Sequence, residues 1–552
     1  MTAAALAVDG LSVAIDGVRI VSDVSLQVAA GECVALVGAS GSGKTVTARA
    51  LLGLSADRAI VDARRLDVAG TDARTLRERG WRQLRGSAVG YVGQEALGAL
   101  DPLRPVGREV ADALRLHTTM TAAERVDAVR AALAGVGLDP EIATDGRLAG
   151  TLSGGMRQRA LIAAATIGTP ALVVADEPTT ALDAGVAVTV MEQLRRAQRG
   201  GAGLLVITHN LGLVAGWADR VAVVSDGRIV EQGPVDRVFS APEHPATAAL
   251  VHAARAGAAP APAPARCELP RTVTDSGSRT VTGISHGDAG TSHGARERLL
   301  TAEQLQRSFD DTAAVRDVSF ALDRGRVLGV IGGSGSGKTT LARILLGLET
   351  PDAGSVALDG EAWAPLPERD RRARRHRMAA VVQDPGATFD ERWDVERVLA
   401  DALSRGAERR ARGELGARVD AALRQVGLDP ALRSRSPLTL SGGQRQRLAI
   451  ARSLATEPEV LVLDEPVTAL DATVQDAVLG LLERLRDETS VAMLFVSHDL
   501  RAVRRLSDDV LVVHEGAVVE HGPAARVFAH PAHPVTARLL HAADVLATGP
   551  DA

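Results

Sequence analysis

The sequence predicts an α/β fold written twice, each copy a mostly parallel sheet core with flanking helices and a helical insert. Three observations predict it. Short apolar runs such as CVALVG, ALVVAD and LLVIT are bounded by glycine or polar residues and alternate with longer helical patterns, as in buried, largely parallel sheets. A glycine-rich peptide follows one such run in each half, GASGSGKT at 38–45 and GGSGSGKT at 332–339, an offset of 294 residues. Further on, LSGGMRQRA (152–160) recurs as LSGGQRQRL (440–448), and LVVADEPTTALD (172–183) as VLVLDEPVTALD (460–471), both at an offset of 288. A drift of a few residues is loop-length variation, so the pattern is a duplicated domain and not a short solenoid repeat.

At 552 residues the chain is too long for one core. The repeats place a first domain at 1–256 and a second at 298–545, with a tail from 546 to 552. Between them, 257–297 opens on APAPAPA and continues Ser/Thr/Gly-rich with few large apolar residues. That composition predicts a flexible tether. The stretches 95–150 and 385–438 are Ala/Leu/Arg-rich and predict the helical inserts. The run RDRRARRHR (369–377) is expected to be the solvated face of a helix. A net charge of −5 gives no general reason for a nucleic-acid partner. Two cysteines, Cys33 and Cys267, build no disulfide framework, which fits a reducing compartment. The N-terminus lacks a basic signal-peptide region. The uncharged stretch 200–218 holds Thr208, His209, Asn210 and five glycines, so strand–turn–helix is expected there and not a membrane span.

GxxxxGK[ST] after an apolar strand is a phosphate-binding loop. Gly38, Ser40, Gly41, Ser42 and Gly43, and likewise Gly332, Ser334, Gly335, Ser336 and Gly337, bring backbone N–H groups onto phosphate oxygens. Lys44 and Lys338 would pair with β/γ-phosphates, while Thr45 and Thr339 offer hydroxyls to Mg²⁺. Asp176 and Asp464, at strand ends, suit the magnesium shell, and Glu177 and Glu465 suit polarising an attacking water. His209 and His498 follow at the next strand ends and suit sensing a γ-phosphate. Gln94 and Gln383 stand in matching positions upstream. Ser153, Gly154, Gly155 and Ser441, Gly442, Gly443 open helices with a hydroxyl, unblocked N–H groups and a positive dipole end.

Phosphate loop, glutamine, LSGGxRQR, Asp-Glu, ALD and histidine, in this order and twice, resemble the nucleotide-binding domains of ABC transporters. The resemblance implies ATP and Mg²⁺ as cofactors, with Gln94 and Gln383 joining the magnesium shell and the catalytic set. It also implies a pseudo-twofold, head-to-tail pair. One site would combine Lys44, Thr45, Gln94, Asp176, Glu177 and His209 with Ser441–Gly442–Gly443; the other would combine Lys338, Thr339, Gln383, Asp464, Glu465 and His498 with Ser153–Gly154–Gly155. Residues 181–183 and 469–471 would line the contact between sites.

Within that superfamily the SGGMRQR/SGGQRQR pair, ALDP after Gln94, and the tails EHPATAALV and AHPVTARLL resemble the paired ATPase subunits of dipeptide, oligopeptide and nickel importers, here fused. Two permease subunits and an extracytoplasmic binding protein are then implied as partners, with the chain peripheral on the cytoplasmic face. Four departures stand out. Ile15 and Phe309 occupy the position where an aromatic usually stacks on adenine, which predicts weaker adenine binding at the first site. Cys267 stands alone, so no iron–sulfur cluster is expected. The second glutamine loop reads TFDE where TLNP is usual, and the tyrosine of the HPYT tail is Ala246 and Val535. Alternatives are an ATPase pair for another solute importer or an exporter, and a ribosome-associated ABC-F protein, although the latter usually carries LSGGE and a long charged linker.

Overall fold

Parallel pairing gathers the buried apolar runs of each half into one six-stranded sheet. In the first half its order is Arg228–Pro234, Arg220–Ser225, Cys33–Val37, Gly203–Ile207, Leu172–Asp176, Val89–Val92; only the outermost hairpin is antiparallel. The second half repeats the order with Ala517–Pro523, Asp509–His514, Val327–Ile331, Ala492–Val496, Val460–Asp464 and Met378–Val381. This computed structural model describes residues 4–39, 41–93, 99–179, 182–256, 297–309, 312–468 and 470–548. Cys33–Val37, Gly203–Ile207 and Leu172–Asp176 are buried at every position, which is why they read as unbroken apolar runs. Their common direction collects their carboxyl ends at one edge, where such sheets place ligands.

Each half also carries an antiparallel sheet that the sequence reading did not anticipate. Long strands Ala4–Ile15 and Val18–Ala29, and Arg298–Phe309 and Thr312–Asp323, form its hairpins. The first half adds a strand, Ala59–Asp62, beside the end of Ala4–Ile15. The helical inserts contain Val106–His117 and Ala122–Gly135 in one half and Val395–Leu403 and Glu414–Gln425 in the other. They share apolar cores with the SGG helices Gly154–Thr166 and Gly442–Leu454.

The C-terminal helices cross. Pro245–Ala256 of the first half packs on Ala472–Glu488 of the second, and Pro534–Thr548 packs on Ala184–Arg199 and Leu211–Trp217 of the first. Leu539, Leu540 and Ala543 join the second half's core, whereas Val545 and Leu546 join the first half's. Residues 546–548, expected as tail, therefore continue the helix, because Leu546 has an apolar surface to cover. The tether at 257–297 lies outside the described residues except for Glu297. The HP tails set these helices in place: Glu231 accepts from the N–H groups of Glu243 and His244 (both 3.1 Å), and Glu520 from those of Ala532 (2.8 Å) and His533 (3.0 Å). The imidazoles of His244 and His533 accept from the amides of Ala246 and Val535.

The basic run departs from expectation. It forms a helical turn, Glu368–Arg371, and a 3-10 segment, Arg372–Arg377, and is not one solvated face. Arg371 is buried and donates to the Gly347 carbonyl (2.8 Å), Arg375 donates to that of Leu346, and Trp363 Nε1 donates to that of Leu345 (2.8 Å). These donors satisfy carbonyls left open where the phosphate-loop helix Lys338–Leu345 ends. Among the described residues no helix is long and apolar enough to cross a membrane.

Candidate active site

Each phosphate loop leaves a buried central strand and enters a helix, Lys44–Leu51 or Lys338–Leu345, through a left-handed glycine. Gly43 has φ 99° and Gly337 φ 100°, and a Cβ on Gly337 would lie 2.0 Å from the Ala314 carbonyl oxygen, so only glycine fits. Lys44 Nζ donates to the carbonyls of Gly38 and Ala39, each at 2.8 Å; Lys338 Nζ donates to those of Gly332 (2.9 Å) and Gly333 (2.8 Å). Both ammonium groups thus sit inside their loops. Burial pushes both lysines below their ordinary range, against the pull of neighbouring carboxylates. Ser40 and Gln94 lie outside the described residues; Gln383 lies between the strand Met378–Val381 and the turn Gly386–Thr388.

The two adjoining strands bring the acids alongside. Asp176 is fully buried, and neither of its carboxylate oxygens makes a well-formed hydrogen bond, although the Thr45 hydroxyl lies near; Asp464 Oδ1 is left in the same way beside Thr339. Burial pushes both carboxyls up to about 6, with the hydroxyls of Thr45 and Thr339 pulling in the opposite direction. Buried oxygens without donors are costly unless a cation meets them, so this oxygen-only set fits a hard divalent ion such as Mg²⁺.

Glu177 and Glu465 follow in the left-handed region, at φ 53° and 54°. A non-glycine residue there is strained by roughly 1–2 kcal/mol. The conformation is pinned by the glutamate N–H, which donates to the next strand: Glu177 to the Ile207 carbonyl (2.8 Å), Glu465 to that of Val496 (2.9 Å). The turn aims each carboxylate at a histidine, His209 Nδ1 lying 2.8 Å from Glu177 Oε1 and His498 Nδ1 2.9 Å from Glu465 Oε2. In the second half, burial opposes charge on both partners, yet the hydrogen bond and mutual attraction prevail: Glu465 is held low and His498 raised. Thr468 Oγ1 also donates to Glu465 Oε2 at 2.6 Å. The sequence reading missed this threonine, although DEPTT and DEPVT repeat it in register.

The SGG helices begin as expected, with a difference between halves. Ser153 Oγ accepts from the Met156 amide and Ser441 Oγ from the Gln444 amide, each at 3.3 Å. Gln444 reaches back to the Ser441 amide (3.0 Å) and completes a capping box, which Met156 cannot do. A Cβ on Gly154 or Gly442 would meet almost nothing, so these positions leave open room. Gly443 serves a second purpose, since a Cβ there would strike Val474 at 2.2 Å.

The halves meet at these sites. The Ser334 amide, in the second phosphate loop, donates to Asp183 Oδ2 of the first half at 3.0 Å, while Asp183 Oδ1 caps its own helix through the Val186 amide. Reciprocally, the charge of Asp471 acts on Lys44, as that of Asp183 does on Lys338. Arg501 Nη2 adds a bond to Asn210 Oδ1 at 3.3 Å. Between the halves lies a cavity of about 210 Å³ bordered by His209 and His498, so the histidines of both acid–histidine pairs face one shared space. Phe309 ends the strand Arg298–Phe309 with an exposed ring, whereas Ile15 is half-buried against its own core.

Comparison with known proteins identifies the family. The ABC transporter family matches residues 21–180 and again 315–468. A peptidoglycan transport ATP-binding protein, YejF of Agrobacterium fabrum, is 38% identical over 95% of this chain and 92% of its own length. The oligopeptide transport ATP-binding protein OppD of Mycobacterium bovis is 37% identical over 96% and 95%, and the glutathione import ATP-binding protein GsiA of Pectobacterium atrosepticum is 36% identical over 95% and 86%. An archaeal ribosome recycling factor, aABCE1, solved in complex with the ribosomal stalk protein aP1, shares the fold at TM-score 0.59 and 19% identity, covering 92% of this chain and 88% of its own. The chain belongs to the ABC transporter family: two ABC ATPase domains in one polypeptide, binding ATP and coupling its hydrolysis to transport.

Proposed function

We propose that the chain drives import of peptides or related small solutes through two separate permease subunits supplied by an extracytoplasmic binding protein. The observation that carries the paired-site part is the bond from the Ser334 amide of the second phosphate loop to Asp183 of the first half, with the charge of Asp471 acting on Lys44 in the opposite direction. In this reading each ATP lies between one half's loop and the other half's SGG helix. Thr45 with Asp176 and Gln94, and Thr339 with Asp464 and Gln383, would hold Mg²⁺, which supplies charge neutralisation between phosphate oxygens. Glu177 and Glu465 would take the proton of the attacking water, with His209 and His498 orienting them and touching the γ-phosphate. The importer assignment is supported by relatives named for oligopeptide, peptidoglycan and glutathione transport that match nearly end to end.

The test is purification of the full chain from membranes together with permeases encoded beside it, followed by ATPase assays with peptides, metal ions and sugars. Stimulation by peptides through the binding protein is expected. Recovery with ribosomes, or stimulation only by an unrelated solute class, would overturn the reading.

A further inference from the structure

Phe309 is an exposed aromatic whose ring is already covered on one face. The Arg307 guanidinium carbon lies 4.8 Å from the ring centroid, a cation–π stack. That guanidinium is itself clamped: one nitrogen pairs with Glu349 Oε1 at 2.7 Å and another with Asp352 Oδ1 at 2.6 Å. Asp352 Oδ2 accepts the amide of Ser308, the residue between the stacked pair, at 2.7 Å. Glu349 follows the phosphate-loop helix, its amide bonded to the Arg343 carbonyl. One planar cation therefore ties the ring to the far end of the phosphate-loop helix. At the near end, Ala314, on the strand paired with Phe309, packs against Gly337, the glycine that opens that helix.

None of these groups recurs in the first half. At the offset of 294, Val13 stands for Arg307, Ile15 for Phe309, Ser55 for Glu349 and Arg58 for Asp352. Val13 is fully buried.

We propose that Arg307 is a positioning residue for nucleotide binding, holding the Phe309 ring so that its open face receives the adenine of the ATP on the second phosphate loop. This rests on the ATPase-pair reading above. Selectivity for the base then belongs to the second site, and the first binds mainly through the triphosphate. A ring fixed before binding loses little entropy when the base stacks, and the cation behind it adds to the stack.

The test uses the full chain carrying Lys44→Ala, which confines nucleotide to the second loop. Ribose-labelled ATP is bound and competed with ATP or with inorganic tripolyphosphate. Arg307→Met is expected to weaken competition by ATP about three- to tenfold while leaving tripolyphosphate unchanged. Arg307→Lys, which keeps the charge, restores part of the loss, and adding Arg307→Met to Phe309→Ala costs nothing further. Equal losses for ATP and tripolyphosphate would mark a merely structural arginine and overturn the proposal, as would an unaltered ATP affinity in Arg307→Met beside a weakened one in Phe309→Ala. Failure of Phe309→Ala to weaken ATP removes the stack and the clamp together. If the Lys44→Ala protein binds no labelled ATP, the ATPase-pair reading itself has failed.

Discussion

At the scale of single residues, the two sets proposed to hydrolyse ATP are alike in their acid–histidine pair and different in what supports it. Each half pairs a left-handed glutamate with a histidine at hydrogen-bond distance. A positioned base is worth about 10²–10⁴ at its own site. Exchanging Glu177 or Glu465 for Gln, one at a time, is therefore expected to bring steady-state ATPase activity well below half, because closure couples the sites. A residual rate near half would mark independent sites, and an unaffected rate with either exchange would refute two competent sites. That these residue types would gather was legible in the sequence, because a phosphate loop, a carboxylate pair and a histidine at strand ends recur twice in register. The strain at Glu177 was not legible, since any residue type can be forced to positive φ by its neighbours. Nor was the clamp on Phe309, because Arg307, Glu349 and Asp352 are ordinary surface residue types until the fold collects them.

At the scale of elements, the parallel sheet was legible from its unbroken apolar runs, but the antiparallel sheet was not. Its strands pair within and between hairpins, carry no catalytic residue and share their alternation with many exposed strands. The basic run was misjudged for a related reason: charge in sequence says nothing about which acceptors lie within reach. One of its members shows the consequence. Arg377, just before the strand Met378–Val381, pairs with Glu459, just before Val460–Asp464, and Arg324 joins them at 2.9 Å. The hydrogen bond from Arg377, helped by Arg324, holds the Glu459 carboxyl down to about 2 from an ordinary 4.5. A carboxylate held low in the folded state stabilises the fold above its unfolded pKa, and that contribution fades as pH falls from about 4.5 towards 2. Glu459→Gln should lower the urea midpoint at neutral pH and flatten its decline across that acid interval. An unchanged pH slope in the variant would show that the pair ties the strands without linkage to folding.

At the scale of the whole molecule, the question is what keeps the halves facing one another when no nucleotide bridges them. Covalent fusion raises the effective concentration of one half for the other, but it does not set their register. The crossing helices are expected to, since each packs on the opposite half. Pro534–Thr548 begins on its own half, locked by Glu520 to the amides of Ala532 and His533, and ends against the first half's helical core through Val545 and Leu546. In the arrangement seen here Asp183 bonds to the opposite phosphate loop and the charge of Asp471 acts on Lys44; under the paired-site proposal, any loss of this population lowers apparent ATP affinity by the same factor. Leu546→Glu places a charge where an apolar contact was, which costs more than the about 1–3 kcal/mol of an uncharged polar group. Leu546 belongs to no phosphate loop, acid pair or SGG helix, although it borders the cavity that His209 and His498 also border. The expected result is a rise of about fivefold or more in KM for ATP, with kcat at saturation falling much less, since saturating ATP restores closure. Labels placed on the two halves should report a wider separation without nucleotide and the parent distance with it. An unaltered KM, or a distance that ATP cannot recover, would show that the crossing helix is passive and that nucleotide alone sets the register of the pair.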